Sequence, residues 1–270
     1  MKINRCTYLE PFIKEDFSFQ CPCCRKGALE IIEETFEVKP TKSSADAMDF
    51  SGEVSCLDEK FITFLKCGNK DCKEIAVMSG IGKVEEEYDS PDDPNPNTSC
   101  VGCYEIKYMD PPTNIIKISR KDVPLEIRDV AEESFSLFWG HPSSAGNKIR
   151  TVLELILDEK GIKTSEISEK GKECSLTLHR RVEEFGKFEN GKYKKLSKML
   201  MSIKWLCNAG SHKEELKKED LLNAYEVLDY VLDEIFVRER ELSEAEKTSD
   251  KLDKAFNPRN NIVLNNNSSK

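Results

Sequence analysis

The chain has 270 residues, of which 34% are charged, and its net charge is −9. This length allows one large domain or two ordinary ones. No apolar run approaches the ~20 residues that cross a bilayer, and residues 1–6 lack the apolar core of a signal peptide. We therefore expect a cytoplasmic protein with no membrane segment.

The cysteines of this chain predict metal binding. There are eleven, a number that would also suit a disulfide-rich secreted protein. The missing signal peptide, the chain length and the short spacing between paired cysteines favour metal thiolates in a reducing compartment instead.

The first pair is Cys21 and Cys24, two residues apart, and about forty residues later Cys67 and Cys72 form a second pair with four residues between them. Each pair flanks a strand-like run, so a zinc-ribbon plan brings the pairs together. Zn²⁺ prefers four soft ligands in a tetrahedron, at about 2.3 Å for sulfur. We predict a structural zinc site, and a closed four-thiolate site leaves no position for catalysis.

The rest of the N-terminal region also reads as short strands. The pattern predicts strands around residues 29–38, 61–65, 75–78 and 104–108, with a loop or short helix at 41–58. Cys100 and Cys103 form a third pair, which leaves alternatives open. They could replace the Cys67 and Cys72 half, or hold a second zinc ion together with Cys6 or Cys23.

The acid-rich residues 85–97 contain three prolines and predict an exposed loop. Residues 1–120 carry 15 Lys and Arg against 22 Asp and Glu, a net charge of −7. A non-specific grip on nucleic-acid phosphates needs clustered basic residues, so it is not expected of this region.

From Val123 onward the apolar period becomes helical. Five stripes with i, i+3/i+4 spacing predict a four- or five-helix bundle, in which the first two helices are antiparallel neighbours. The stripes begin at Ile127, Ile149, Leu178, Leu196 and Leu221, and the first three helices are expected to end before Gly140, Gly161 and Gly186. Residues 239–270 are charged and then rich in Asn and Ser, which predicts a flexible tail.

One constellation in the fourth helix and just beyond it has the residue types for acid–base chemistry. Asn208 and His212 share a helical face if the helix continues, and histidine titrates near neutral pH. In the simpler interpretation Gly210 ends the helix, and His212 only caps or lies on the turn that follows. A basic run, Lys192, Lys194, Lys195, Lys198 and Lys204, could contact RNA phosphates or be a solvated helical face.

Residues 123–238 resemble a prokaryotic helical family, domain of unknown function 4145, in the HEPN superfamily. The residues that carry the resemblance are 124–127, 148–154, 178–182 and 208–212. A zinc ribbon often precedes this domain, and the superfamily is frequent in defence, restriction and toxin–antitoxin systems. Active members are ribonucleases in which four to six residues, the first of them often polar, separate an Arg from a following His.

This chain departs from the ribonuclease motif at its arginine. Asn208 matches the polar position and His212 the histidine, but Cys207 occupies the arginine position. A thiol cannot stabilise phosphate charge as a guanidinium does. Lys204 or Arg150 could supply that charge.

We therefore predict an α+β protein with a small β-rich zinc ribbon at 1–120, an all-α HEPN-like bundle at 121–238 and a flexible tail at 239–270. Two functions are open. In the favoured one, the protein is a non-catalytic recognition module for RNA or a partner protein in a prokaryotic defence, restriction or toxin–antitoxin assembly. In the alternative, it is a metal-independent ribonuclease acting as a homodimer, with His212, Asn208, and Lys204 or Arg150 at the catalytic site.

Overall fold

The computed structural model describes residues 3–53, 57–88, 98–117, 122–169, 171–209 and 216–257. Within these residues an N-terminal antiparallel sheet is followed by helices. The strands are β1 (Phe12–Ile13), β2 (Phe19–Gln20), β3 (Ala28–Ile31), β4 (Glu37–Pro40), β5 (Asp58–Cys67), β6 (Ile75–Tyr88), β7 (Thr98–Asp110), β8 (Ser165–Ile167) and β9 (Glu173–Ser175). The helices are α1 (Arg5–Leu9), α2 (Lys42–Ser51), α3 (Leu125–Phe138), α4 (Pro142–Glu159), α5 (Leu178–Gly191), α6 (Lys194–Ala209), α7 (Lys218–Leu232) and α8 (Glu239–Phe256). Short 3₁₀ helices occupy Lys14–Asp16 and Glu33–Thr35, and a π-helix, Asp233–Arg238, joins α7 to α8.

The main sheet has the strand order β1-β7-β6-β5-β3-β2, with β4 also paired to β5, and all its pairs are antiparallel. β5 shows why these residues form a strand. Its side chains alternate between exposed and buried, so that Phe61, Thr63, Leu65 and Cys67 face the core. The predicted strands are confirmed. For residues 41–58 the sequence allows a loop or a short helix, and part of this segment forms α2, which is capped by the hydroxyl of Thr41.

The helices bury their apolar stripes against one another. α3 and α4 contact each other most extensively among the helix pairs of the described residues, as expected for neighbours joined by a short loop. The fully buried aromatic side chains are Phe135, Phe138, Phe185 and Tyr225. The same core continues to the sheet, because Trp139 stacks on Tyr8 at 5.7 Å and meets the edge of Phe19 at 5.8 Å.

Three sequence expectations differ from the structure. The first four residues of the predicted acidic loop, 85–88, extend β6 by pairing with β7, while 89–97 lie outside the described residues. α5 continues past Gly186, which allows close approach to Ser197, and its helical geometry breaks at Phe188 instead. Residues 239–256 of the predicted flexible tail form α8, because their apolar spacing suits a helix; 258–270 lie outside the described residues.

Candidate metal centre

Two hairpin loops bring four cysteines to one end of the sheet. Cys21 and Cys24 lie in the loop between β2 and β3, whereas Cys67 ends β5 and Cys72 lies in the loop before β6. β3 pairs with β5 so that Leu29 lies opposite Cys67. The two loops therefore leave the sheet side by side, and the ladder continues between them through a hydrogen bond from the Gly68 N–H to the Ala28 carbonyl, 2.9 Å long.

The four sulfur atoms have the spacing of a tetrahedral metal site. The Sγ atoms of Cys21 and Cys72 are 3.8 Å apart, and those of Cys24 and Cys67 are 3.6 Å apart. All four lie within 4.8 Å of one another. A tetrahedron with metal–sulfur bonds of about 2.3 Å has edges of about 3.8 Å. The donor set and its size therefore fit a four-thiolate metal ion.

The backbone around the cluster is arranged to stabilise thiolates. The Gly27 N–H donates to Cys24 Sγ, and the Asn69 N–H donates to Cys67 Sγ, both at 3.4 Å. A Cβ atom at Gly27 would lie 2.6 Å from Cys67 Sγ, so only glycine allows the loop to approach this closely.

The pKa values of the clustered cysteines are shifted in opposite directions. Backbone N–H groups of Gly27 and Lys26, with the side chain of Asn69, lower the pKa of Cys24 to about 6. Burial raises the pKa of Cys67 to about 12, with the neighbouring cysteines adding to the effect, and burial also raises the pKa of Cys21. Four thiols this close cannot all ionise without a positive charge among them, and a divalent metal ion supplies it.

The third cysteine pair lies elsewhere. Cys100 and Cys103 are in β7, where Cys103 pairs with Lys83 of β6 and Ile13 of β1. Lys83 is eight residues from Ile75 at the metal end of β6, roughly 26 Å at 3.3 Å per residue. The structure therefore places this pair far from the four-cysteine cluster, which is the one group of suitable ligands among the described residues.

Cys6 and Cys23, which the sequence leaves open as ligands of a second ion, lie outside the cluster. Cys6 lies on α1 and is exposed. Cys23, within the first loop, is also exposed and takes no part in the four-cysteine cluster.

Sequence reasoning did not identify Asn114, which supports the first loop. Its amide nitrogen donates to the Pro22 carbonyl at 2.8 Å, and its oxygen accepts from Arg25 Nη2 at 3.3 Å. These bonds connect the loop to the segment that leads into the helices. No local pattern marks Asn114, because its partners are about ninety residues away in the chain.

In the helical region the structure brings two of the predicted catalytic residues together. Arg150 of α4 donates from Nη1 to Oδ1 of Asn208 on α6 at 2.8 Å, and its Nε lies 3.6 Å from Glu154. The guanidinium of Arg150 thus lies beside Asn208, the residue that follows Cys207 in the chain. Cys207 itself is 2% exposed, and burial raises the pKa of its thiol to about 12, so it is neutral at physiological pH.

The other two candidates are placed differently. Lys204 is 6% exposed; its Nζ lies 3.4 Å from His179 Nδ1 and 3.7 Å from the centre of the Trp205 ring. His179 Nε2 in turn lies 3.4 Å from Glu183, so these contacts connect Lys204 to α5. His212 lies outside the described residues.

The described part of the chain contains no helix that is long and apolar enough to cross a membrane. Residues 132–254 match the family described as Domain of unknown function (DUF4145), and residues 10–108 match the family described as Domain of unknown function (DUF8608). Comparison with curated proteins and with solved structures gives no match. The chain is thus similar to one family over its sheet and to another over most of its helices, and the boundary between the two lies between residues 108 and 132.

Proposed function

We propose that the four-cysteine cluster binds one Zn²⁺ ion as a structural site, and that the protein serves as a recognition module without catalytic activity. The observation that carries the first part is the spacing of four sulfur atoms, all within 4.8 Å of one another. Zn²⁺ takes this donor set in closed structural sites, where it contributes to folding directly. When bound, it would neutralise the thiolates and tie the two hairpin loops together.

We infer the recognition role because the metal site has no open coordination position and the ribonuclease motif lacks its arginine. Four thiolate ligands fill a tetrahedral site and leave no coordination position for a substrate or an activated water. In the helical region, Cys207 replaces the arginine of the ribonuclease motif, and it is a buried neutral thiol. The proposed ligand is RNA or a partner protein. The setting in a cytoplasmic prokaryotic defence, restriction or toxin–antitoxin assembly is supported by the resemblance to the HEPN superfamily.

Zinc content tests the ligand set. The pair of substitutions Cys21→Ser and Cys24→Ser should lower bound zinc from one ion per chain to none, measured by elemental mass spectrometry on purified full-length protein. Cys100→Ser with Cys103→Ser is the matched control, since it also removes two cysteines, and it should keep the ion. Unchanged zinc in the first variant, or loss of zinc in the second, would overturn the ligand set.

A second candidate function, a metal-independent ribonuclease, is favoured by one contact. The bond between Arg150 and Asn208, 2.8 Å long, brings to the motif a guanidinium that its sequence lacks. In this alternative, His212 would accept the proton of a ribose 2′-hydroxyl, Asn208 would orient the substrate, and Arg150 would neutralise charge on the phosphate. Lys204 is held against His179 and Trp205 and is the weaker source of that charge.

RNA cleavage decides between the two functions. Purified protein is incubated with a mixed pool of structured RNAs in EDTA, and its zinc content is measured after the incubation. The recognition role predicts no cleavage by zinc-loaded wild-type protein. Cleavage that is lost in His212→Ala but kept in His141→Ala, an exposed histidine at the start of α4, would establish the ribonuclease instead.

A further inference from the structure

One face of α6 combines free positive charges with an exposed aromatic ring. Lys194, Lys198, Met201 and Trp205 follow one another at spacings of four, three and four residues, so their side chains share one side of the helix. We call these four residues the α6 stripe. At 1.5 Å per residue the stripe is about 17 Å long.

The structure divides the lysines of the basic run into two groups. Lys192 pairs with Glu239 at 2.9 Å, and Lys204 is 6% exposed. Three others are exposed and form no ion pair within the described residues: Lys194, Lys195 and Lys198. Because α6 contains no acidic residue, these three charges are not compensated on their own helix.

Carboxylates on the elements beside α6 are already paired within the chain. On α5, Glu183 and Glu184 both pair with Arg180, at 3.7 and 3.5 Å. On the other side of α6, Glu234 pairs with Arg238 at 2.9 Å. The free lysines therefore form a local excess of positive charge on a chain whose net charge is −9.

The position of these lysines is unfavourable for the helix itself. Lys194 and Lys195 lie in the first turn of α6, which contains no acidic residue. The N-terminus of a helix is the positive end of its dipole, so it favours anions and disfavours cations. Such a departure from local preference is expected at a functional site, where a bound anion supplies the missing charge.

Trp205 adds an aromatic surface that its neighbours hold in place. Its side chain is 56% exposed. Lys204 Nζ lies 3.7 Å from the centre of the ring, and the ring of His179 packs edge-on at 5.6 Å. Lys204 Nζ is itself 3.4 Å from His179 Nδ1. These contacts orient the indole, and more than half of it remains open for stacking.

We propose that the α6 stripe binds single-stranded RNA, with a base stacked on Trp205 and neighbouring phosphates on Lys198 and Lys194. The proposal rests on the recognition role of the protein and names the surface and the form of RNA. Proteins that bind single strands combine cations that follow the backbone with aromatic side chains on which bases stack. The length of the stripe equals about five stacked nucleotides at 3.4 Å each.

The same features favour a single strand over other partners. In a duplex the bases are stacked and paired with one another, so that Trp205 could not reach the face of a base. Lysine is depleted in protein–protein interfaces relative to the rest of the surface, whereas lysine contacts to phosphate supply much of the affinity for nucleic acid.

Fluorescence anisotropy with a labelled 2′-O-methyl uridine 12-mer tests the proposal on zinc-loaded full-length protein. This probe lacks the 2′-hydroxyl that cleavage requires, so binding is measured whether or not the protein is a ribonuclease. Trp205→Ala should weaken binding about tenfold, because a stacked base is lost, and Trp205→Phe should retain most of the affinity. Lys194→Ala with Lys198→Ala should reduce the slope of log K against log salt by about 1.4, since each phosphate contact on a single strand contributes about 0.7.

Tryptophan fluorescence reports the stacking separately from the charge. The chain has two tryptophans, and Trp139 is 3% exposed, so the 12-mer should quench the emission of Trp205 alone. In Trp205→Phe the remaining emission should not change when the probe binds. Circular dichroism checks that every variant keeps its helices.

The matched control is Lys247→Ala with Lys251→Ala, which removes two exposed positive charges from α8 and should leave binding unchanged. An equal loss in this control would show a general effect of charge and overturn the proposal. Binding that persists in the stripe variants would also overturn it, while RNA recognition elsewhere on the protein would stand.

Three further results would contradict the proposal. The first is a wild type that does not bind the 12-mer, which would leave recognition of a partner protein and the zinc site in place. The second is a 12-base-pair RNA duplex that binds as tightly as the single strand. The third is a glutamate-rich peptide that quenches Trp205 where the 12-mer does not, since it would assign the stripe to an acidic protein.

Discussion

The sheet and the helical bundle of this chain bury their apolar side chains to different extents. Phe135, Phe138, Phe185 and Tyr225 are fully buried among the helices. The sheet buries one face only, and among its large apolar residues Ile62, Phe64, Ile75 and Tyr108 are each 45–49% exposed. A one-sided sheet with short outer strands gains less from apolar burial than a bundle does, so a metal ion bound at the four-cysteine cluster would contribute more to its stability.

The two regions are nevertheless in contact. Tyr8 and Phe19 pack against Trp139 at the end of α3, and Lys218 of α7 pairs with Glu105 of β7 at 2.9 Å. If the sheet depends on zinc and the bundle on its core, then disturbing one region should affect the other through the contacts between them.

Removal of zinc should have the largest effect. Structural zinc contributes apparent binding free energies of about 10–16 kcal/mol in zinc-finger peptides, and its loss should open the loops around Cys21 and Cys67. After treatment with a strong chelator, amide hydrogen exchange should accelerate in β3 and β5 while α4 and α7 keep their protection. Equal acceleration in all four elements would show that the sheet and the bundle do not differ in their dependence on zinc.

A cavity in the bundle should have the next largest effect, and it should destabilise the helices rather than the sheet. Phe135→Ala removes a side chain that is 1% exposed, and such substitutions cost about 3–5 kcal/mol. We expect denaturant unfolding of the helices at lower concentration with unchanged zinc content. Leu125→Ala on the same helix is the control, since Leu125 is 62% exposed and should change stability little. Loss of zinc in Phe135→Ala would contradict the expectation that the sheet and the bundle depend on different interactions.

Gly140 tests the contact between the two regions. A Cβ atom there would lie 2.8 Å from the carbonyl oxygen of Lys107 in β7, so Gly140→Ala should force the helices away from the sheet. Overpacking of this kind costs about 1–3 kcal/mol. The variant should unfold in two resolved thermal transitions, one of them sensitive to chelator. A single transition at the wild-type temperature would show that this contact does not couple the regions.

The ion pair between the regions should have the smallest effect. Burial alone would raise the pKa of Glu105, but hydrogen bonds from Lys107 and Lys218 outweigh it and hold that pKa below its ordinary value. Because the folded-state pKa is depressed, the pair adds stability above the pKa of the unfolded chain and loses it as the pH falls through the folded value. Glu105→Gln should therefore destabilise by less than about 1 kcal/mol near pH 7 and by less still near pH 3. An equal effect at both pH values would exclude the ion pair as the cause.

The strands, the helices and the cysteine cluster could be predicted from the sequence. The short apolar runs, such as the one at 61–65, and the i, i+3/i+4 stripes of the helices identified the strands and helices, since both patterns are local. The spacing of Cys21, Cys24, Cys67 and Cys72 predicted the cluster, because cysteine pairs at strand ends constrain which loops can meet.

Long-range features were not accessible from the pattern. The register that places Leu29 opposite Cys67 is set by the whole sheet, and Asn114 acquires its role only through a loop distant in sequence. Likewise, the bond between Arg150 and Asn208 depends on how α4 packs on α6. The flexible tail was predicted from its charge, although the apolar spacing of Leu242, Leu252 and Phe256 within it already suited a helix.

Zinc K-edge X-ray absorption on the purified full-length protein tests the metal centre most directly. The four-cysteine cluster predicts one zinc ion per chain with four sulfur neighbours at about 2.3 Å and no lighter ligand in the first coordination sphere. A spectrum with nitrogen or oxygen ligands at about 2.0–2.1 Å, or a purified protein without stoichiometric zinc, would contradict a closed tetrathiolate site.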